Sequence, residues 1–207
     1  MGTDDQSAWS SSASGHGDAV RHQVLGAAAD ILRPAPAPAD GTGGRPVVDG
    51  SDPSAVTLYL ALLQDRLPVF ARVMKDLGAR VGRGEVADNL VVAAQATIGF
   101  YREILAAKVS ILASSDQIVR LRQVFQSHDL GPQAAYAEVT GYLAGERDLG
   151  RIAADVDCTA AARLLIGACF NHAFMKMLLG DGPADDEFVT QMIGGLRLGH
   201  HPVPATD

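Results

Sequence analysis

Cysteine, aromatic side chains, early lysines and long apolar runs are all scarce in this chain, and each scarcity closes off a class of protein. Two cysteines among 207 residues, Cys158 and Cys169, cannot form the disulfide framework of a small secreted domain. On one helix they would share a face about 16 Å apart along the axis, too far for a bridge within one chain. They read as ordinary buried thiols, with an intersubunit bond or a thiol sensor as the minority alternative. Aromatic residues make up 5% of a chain that is 47% hydrophobic. Ala, Leu, Val and Gly carry most of the apolar content, a mixture that suits close-packed helices better than a sheet.

Positive charge is short at the N-terminal end. Residues 1–66 hold four arginines against eight aspartates, and the first lysine is Lys75. A net charge of −7 argues against generic adhesion to nucleic acid. A DNA-reading head normally makes several phosphate contacts from Lys and Arg. The most apolar run, Leu164 to Leu179, is interrupted by Asn171, His172 and Lys176 and falls short of the ~20 residues that span a bilayer. Met1-Gly2-Thr3-Asp4-Asp5 shows neither a basic nor an apolar leader region. The expectation is a cytoplasmic protein with no membrane partner.

Catalytic and metal patterns are missing too. His16, His22, His128, His172, His200 and His201 are scattered, and only the tail pair His200-His201 is close enough to suggest a metal ligand set. Gly41, Gly43 and Gly44 could suggest a phosphate loop, but no strand precedes them and no Gly-Lys-Ser/Thr follows. No enzyme, cofactor or metal is expected.

What is present is helical periodicity. Residues 1–17 read as a polar, disordered arm. Asp18 can cap a helix reaching Arg33, with Val20, Val24, Ala27, Ala28, Ile31 and Leu32 on one side. Residues 34–53 hold five prolines and four glycines and read as a linker, since proline removes amide donors and biases its predecessor toward extended backbone. A helix starts near Pro53 and runs through Leu58, Leu62 and Leu63; Pro68 is expected to restart it. The longest clean pattern spans 85–113, with Leu90, Ala93, Ala94, Thr97, Ile98, Tyr101, Ile104, Leu105 and Val109 spaced three and four apart. Ser114-Ser115-Asp116 separates it from a short helix over 117–126. Gly131-Pro132 opens another that closes at Gly150. Asp155 or Asp157 caps an apolar helix that Gly180-Asp181-Gly182 stops. Asp185-Asp186-Glu187 then places acids on the first turn of a last helix, where negative charge suits the dipole.

Several segments of this succession carry a family resemblance. Ala144-Gly145-Glu146-Arg147-Asp148-Leu149-Gly150-Arg151-Ile152 is followed by Asp155-Val156-Asp157, by residues 160–170, and by Phe174, Leu178-Leu179-Gly180 and Asp186-Glu187-Phe188-Val189. Over residues 84–198 the chain resembles the TetR/AcrR family of bacterial transcriptional regulators. Arg21 with residues 24–32 resembles that family's first helix. Thr57-Leu58-Tyr59 resembles the end of its recognition helix, which would make Thr57 and Tyr59 DNA contacts. Between those landmarks the spacing is nearly right but the family's second helix, turn and recognition-helix residues are absent. Two compensating frame shifts, or drift after DNA binding was lost, would leave such a segment.

The resemblance implies an all-α, TetR-like helical bundle with a disrupted or partial helix-turn-helix head. Its parts are a disordered arm (1–17), a degenerate head (18–66) containing the 34–53 linker, a ligand-binding and dimerisation domain (67–198) and a disordered tail (199–207). It also implies a pocket for a small apolar effector, for which Phe100, Tyr101, Ile104, Phe125, Tyr136, Phe170, Asn171 and Phe174 are candidates; ordinary core is the commoner use of any one of them. Asn171 and His172 are unusual because they sit in an apolar run, where buried polar groups need partners. Gly167, His172, Phe188, Met192, Gly195 and Leu196 are candidates for a homodimer interface, where small residues permit close helix approach. The function implied is a small-molecule-responsive repressor acting on operator DNA. The alternative is a ligand-binding, dimer-forming module with no DNA output.

Overall fold

The computed structural model describes residues 18–26, 53–112, 115–127 and 132–199. The expected arm, the Pro/Gly-rich segment up to residue 52 and the tail beyond Gly199 lie outside the described residues. Those described are all-α and contain no strand. Helix α1 covers 18–26, followed by α2 (Pro53–Gly78), α3 (Val86–Leu112), α4 (Ser115–Ser127), α5 (Gln133–Asp148), α6 (Cys158–Leu179) and α7 (Asp185–Gly195). Helix α3 is the axis of the bundle and packs against α2, α4, α6 and α7, while α5 closes the core against α2 and α6. Its stretch Val86–Val109 is long and apolar enough to cross a membrane by length and composition alone. Packing against its neighbours accounts for that apolarity.

Local chemistry explains where the helices begin and end. The Asp157 side chain accepts the Ala160 amide at 2.9 Å, occupying one of the donors that a helix start leaves free. Gly180 ends α6 in the left-handed conformation at φ 69°, which costs a residue without Cβ little. Helix α7 opens with Asp185, Asp186 and Glu187, as its sequence leads one to expect. Pro68 departs from expectation. It does not restart the helix but lies buried inside α2, which runs through it unbroken. The buried stripe Val56, Tyr59, Leu60, Leu63, Phe70, Met74 and Leu77 holds the helix together across the lost amide donor. The 66/67 division expected from the sequence therefore falls within one helix. Val56 and Val24 of α1 belong to the same apolar cluster as the rest of the core. Val109, expected on the inner face of α3, is exposed at 38%.

A buried polar knot sets the register of this bundle. Glu146 on α5 has no solvent exposure. Its Oε1 accepts the Gly82 amide at 3.1 Å, and its Oε2 lies 3.1 Å from the Arg151 guanidinium. That second contact is charge against charge, without hydrogen-bond alignment. Arg151 also donates to the carbonyl of Gly84. Next to it Asn89 donates to the Tyr142 hydroxyl at 3.0 Å and the Arg83 carbonyl at 2.7 Å, and accepts from Arg80 at 3.2 Å. The turn between α2 and α3 is thus sewn to the end of α5. Gly145 makes the approach possible, because a Cβ there would meet Val81 Cγ1 at 2.8 Å. Burial, opposed by the Asn89 hydrogen bond and reinforced by Glu146, pushes the Tyr142 phenol up to about 12, so it stays a neutral member of the knot.

Removing the carboxylate strands the half-buried Arg151 and the Gly82 amide together. Glu146→Ala should lower stability by about 3 kcal/mol, measured by equilibrium urea unfolding. Glu146→Gln should recover part of that loss, because it keeps an acceptor for Gly82. A neutral effect of Glu146→Ala would show that the knot does not hold the turn.

Candidate effector pocket and helix-pair face

The end of the bundle opposite the knot is apolar and imperfectly filled. Helices α2 and α3 diverge from their turn, and between the first half of α2 and the second half of α3 lies a cavity of about 90 Å³. Tyr59, Leu63, Leu67 and Phe70 enter it from α2, and Phe100, Tyr101, Ile104 and Lys108 from α3. Phe125 of α4 and Pro132 close it. Phe70 stacks on Phe100 with centroids 4.6 Å apart and planes within 9°, and Tyr59 lies over Phe125 at 6.1 Å. Burial, reinforced by the neighbouring Tyr136 and Cys169, pushes the Tyr101 phenol up to about 12. Burial raises Tyr59 as well, so both phenols are neutral at physiological pH and can donate a hydrogen bond.

The expected pocket residues divide. Phe100, Tyr101, Ile104 and Phe125 line the cavity. Phe170 stands behind it, edge-on to Tyr101 at 5.0 Å, and Phe174 stacks on Phe170 at 6.2 Å. Tyr136 packs half-buried against the core. Asn171 requires a correction: it is exposed on α6, so it is no buried polar group in search of a partner. A second correction concerns Tyr59. It is 1% exposed with its ring on Phe125, and such a side chain cannot reach a phosphate; Thr57 is exposed on the same helix. Sequence reading missed Lys108 and the α2 wall. The signal for Lys108 was its place on the Tyr101, Ile104, Lys108 stripe, three and four residues apart along α3.

His172 is buried at 7% and satisfied within its own chain. Its ring stacks on Phe188 at 4.1 Å, and Nε2 meets Asp185 Oδ1 at 3.0 Å. Lys176 donates to the same oxygen at 3.0 Å, and Arg102 of α3 pairs with the other. Burial pushes the Asp185 carboxyl up, but the hydrogen bonds from His172 and Lys176 and the charges of Arg102 and Lys176 outweigh it. The net effect brings the group down to about 2. Asp185 therefore ties α7 to α6 and α3 at once.

With that junction made, Phe188, Met192 and Leu196, the α7 candidates for a homodimer interface, are half-buried against the core of their own chain. Helix α6 carries a group of uncovered apolar residues, Leu164 (63%), Met175 (38%), Met177 (37%), Leu178 (60%) and Leu179 (64%), while Leu58, Val69, Val119 and Leu149 are exposed singly on other elements. Leu164, Gly167, Asn171, Met175 and Leu178 follow helical spacing and form one exposed face. Gly194 and Gly195 of α7 are exposed as well. Cys158 and Cys169 are free and buried, and burial raises the Cys169 thiol to about 12, so it is not a reactive thiolate. A wider depression of about 610 Å³ lies between the start of α3 and the end of α7. It is shallow and open, and its Arg151 is already paired with Glu146, so the smaller aromatic cavity is the better ligand site.

Residues 89–195 match the family model for the C-terminal domain of AefR-like transcriptional repressors, a TetR C-terminal domain. No curated protein and no solved structure matches the chain. The matched segment begins inside the polar knot at Asn89 and ends with α7, so it covers most of the bundle and every wall of the cavity except α2.

The Asp185 junction carries a pH signature. A carboxyl held at about 2 in the fold, against an ordinary 3.8, contributes stability that is fully present above its unfolded value and lost as pH falls through its folded one. Asp185 is 27% exposed, so solvent screening reduces the effect. Asp185→Asn should cost about 1–2 kcal/mol at neutral pH, and the two proteins should converge in stability as the medium is acidified toward pH 2. A gap between them that is independent of pH would contradict the charge-based account.

Proposed function

Because the chain belongs to the TetR family of transcriptional regulators, we propose that it is a homodimeric repressor whose aromatic cavity binds a small, mostly apolar effector. The observation that carries this reading is the cavity between α2 and α3, enclosed by stacked aromatic rings. Its volume, about 90 Å³, is small against the ~300–1,000 Å³ of sites that hold drug-sized ligands. A ligand larger than a single ring must therefore part the Phe70–Phe100 and Tyr59–Phe125 pairs. Tyr59 and Val56 lie one turn apart on α2, and Val56 shares an apolar cluster with Val24 of α1. A displacement of the cavity wall would reach the N-terminal helix along one rigid element, which is the two-state coupling that an effector-released repressor needs.

Dimerisation rests on the exposed face of α6. A largely apolar stripe, Leu164, Gly167, Met175 and Leu178 with Asn171 in its middle, together with the exposed Gly194 and Gly195 of α7, suits close packing against the same helices of a second copy about a two-fold axis. His172, Phe188, Met192 and Leu196 support this face from beneath by fixing the angle of α7 on α6. A second reading, a dimeric ligand-binding module without DNA output, is favoured by the acidic balance of residues 1–66 and by the burial of Tyr59.

Fluorescence anisotropy with the upstream DNA of its own gene separates the two readings. A repressor should bind that duplex more tightly than a random one, and binding should weaken steeply with salt. A module without DNA output should bind neither duplex even at low salt. Light scattering tests the interface separately: Leu164→Asp should convert dimer to monomer while leaving helicity unchanged. A dimer that survives this substitution would place the interface elsewhere.

A further inference from the structure

Among the described residues, Lys108 is the one charged side chain in the wall of the cavity. It is half-buried, its Nζ 5.9 Å from the centre of the Phe170 ring, and its other neighbours in the wall are apolar or phenolic. Among the described residues no carboxylate pairs with it: burial alone acts on the ammonium, and it pushes the group below its usual range. Lys176 is the contrast within the same bundle, because it sits on Asp185 at 3.0 Å. A half-buried cation facing an apolar cavity without a counter-ion is costly to the fold. Ring contact offsets only part of that cost, since a cation near an aromatic face gains little beside what a paired charge gains. The position therefore asks for a partner that the described residues do not supply.

We propose that the effector of this cavity is a small apolar carboxylic acid whose carboxylate pairs with Lys108 while its ring lies among the aromatic walls. The inference rests on the effector-pocket reading above and makes it chemically specific. Three alternatives fit worse. A neutral hydrocarbon would fill the walls and leave the ammonium unpaired. An organic cation, which aromatic walls otherwise attract, would meet the charge of Lys108 at close range. A phosphate monoester carries close to two charges, and among the described residues the cavity offers one cation and no arginine. A monoanion with a flat apolar body matches both the count of charges and the stacked rings. The neutral hydroxyls of Tyr59 and Tyr101, both in the wall, are donors suited to the second carboxylate oxygen.

The test is isothermal titration of the full chain with matched acid and amide pairs at two sizes: benzoate against benzamide, and 2-naphthoate against 2-naphthamide. The acid should bind at least about tenfold more tightly than its amide in one or both pairs. Lys108→Met keeps an unbranched side chain of similar length, and should abolish the preference while leaving amide binding intact. Lys108→Arg should retain the preference. Without ligand, Lys108→Met should melt at or above the temperature of the native protein, whereas a lysine with a purely structural role would lower it when replaced. Amides that bind as tightly as their acids would overturn the carboxylate proposal and leave the effector pocket standing. Failure of all four compounds to bind would remove both. A preference that persists in Lys108→Met would overturn the role of Lys108.

Discussion

The bundle depends on a buried carboxylate. Glu146 has no contact with water, and a charge in that position persists only when hydrogen bonds and an opposite charge surround it. Gly82, Arg151 and the neighbouring Tyr142 and Asn89 meet that requirement, and in doing so they fix where α2 turns into α3 and where α5 ends. Three helices leave this point with their register decided. Apolar packing along α2 and α3 tolerates small slides, because dispersion contacts are many and individually weak. An ion pair with a backbone amide in its grip does not.

That asymmetry explains why the cavity lies at the other end. Away from the knot, α2 and α3 are held by side-chain packing and by the half-exposed Arg66–Glu103 ion pair, and aromatic rings in pairs fill space less completely than branched aliphatic chains. Stacked phenylalanines and tyrosines can separate without breaking a hydrogen bond. A ligand site needs a region of low local stability beside a rigid one, and this bundle has a polar, ion-paired base and an aromatic, loosely filled top. Asp185 repeats the device at the third corner. By gathering Arg102, His172 and Lys176 it orients α7 on α6 and leaves the outer face of α6 bare. The apolar residues on that face have no cover among the described residues, which is the physical basis for expecting a second copy.

Much of the fold was legible in the residues. The three-and-four spacing of α3, the Asp157 cap, the Gly180 stop and the acids that open α7 depend on local backbone chemistry, which acts over a few residues and is therefore written in order along the chain. Pro68 was misread because proline's local effect is to break a helix. The burial of Tyr59, Leu63 and Phe70 on one side of α2 outweighed it. Asn171 and His172 were read alike as buried polar groups. A helix turns about 100° per residue, so one faces water and the other faces α7. Tyr59 illustrates the same limit in a family motif, since a matching tripeptide does not say which side of the helix is covered.

The sequence by itself determined the class of the chain: an all-α bundle of the TetR type, with its helix ends in place and an acidic N-terminal segment. Those properties follow from periodicity, caps and charge, each carried by residues a few positions apart. Only the tertiary structure decided which groups meet. Glu146 with Gly82, Asp185 with Arg102, and Lys108 in an aromatic cavity without a counter-ion among the described residues are relations between residues far apart in the chain. Burial changes what each of them can do, because a charge out of water must find a partner, and the sequence does not record which charges are out of water.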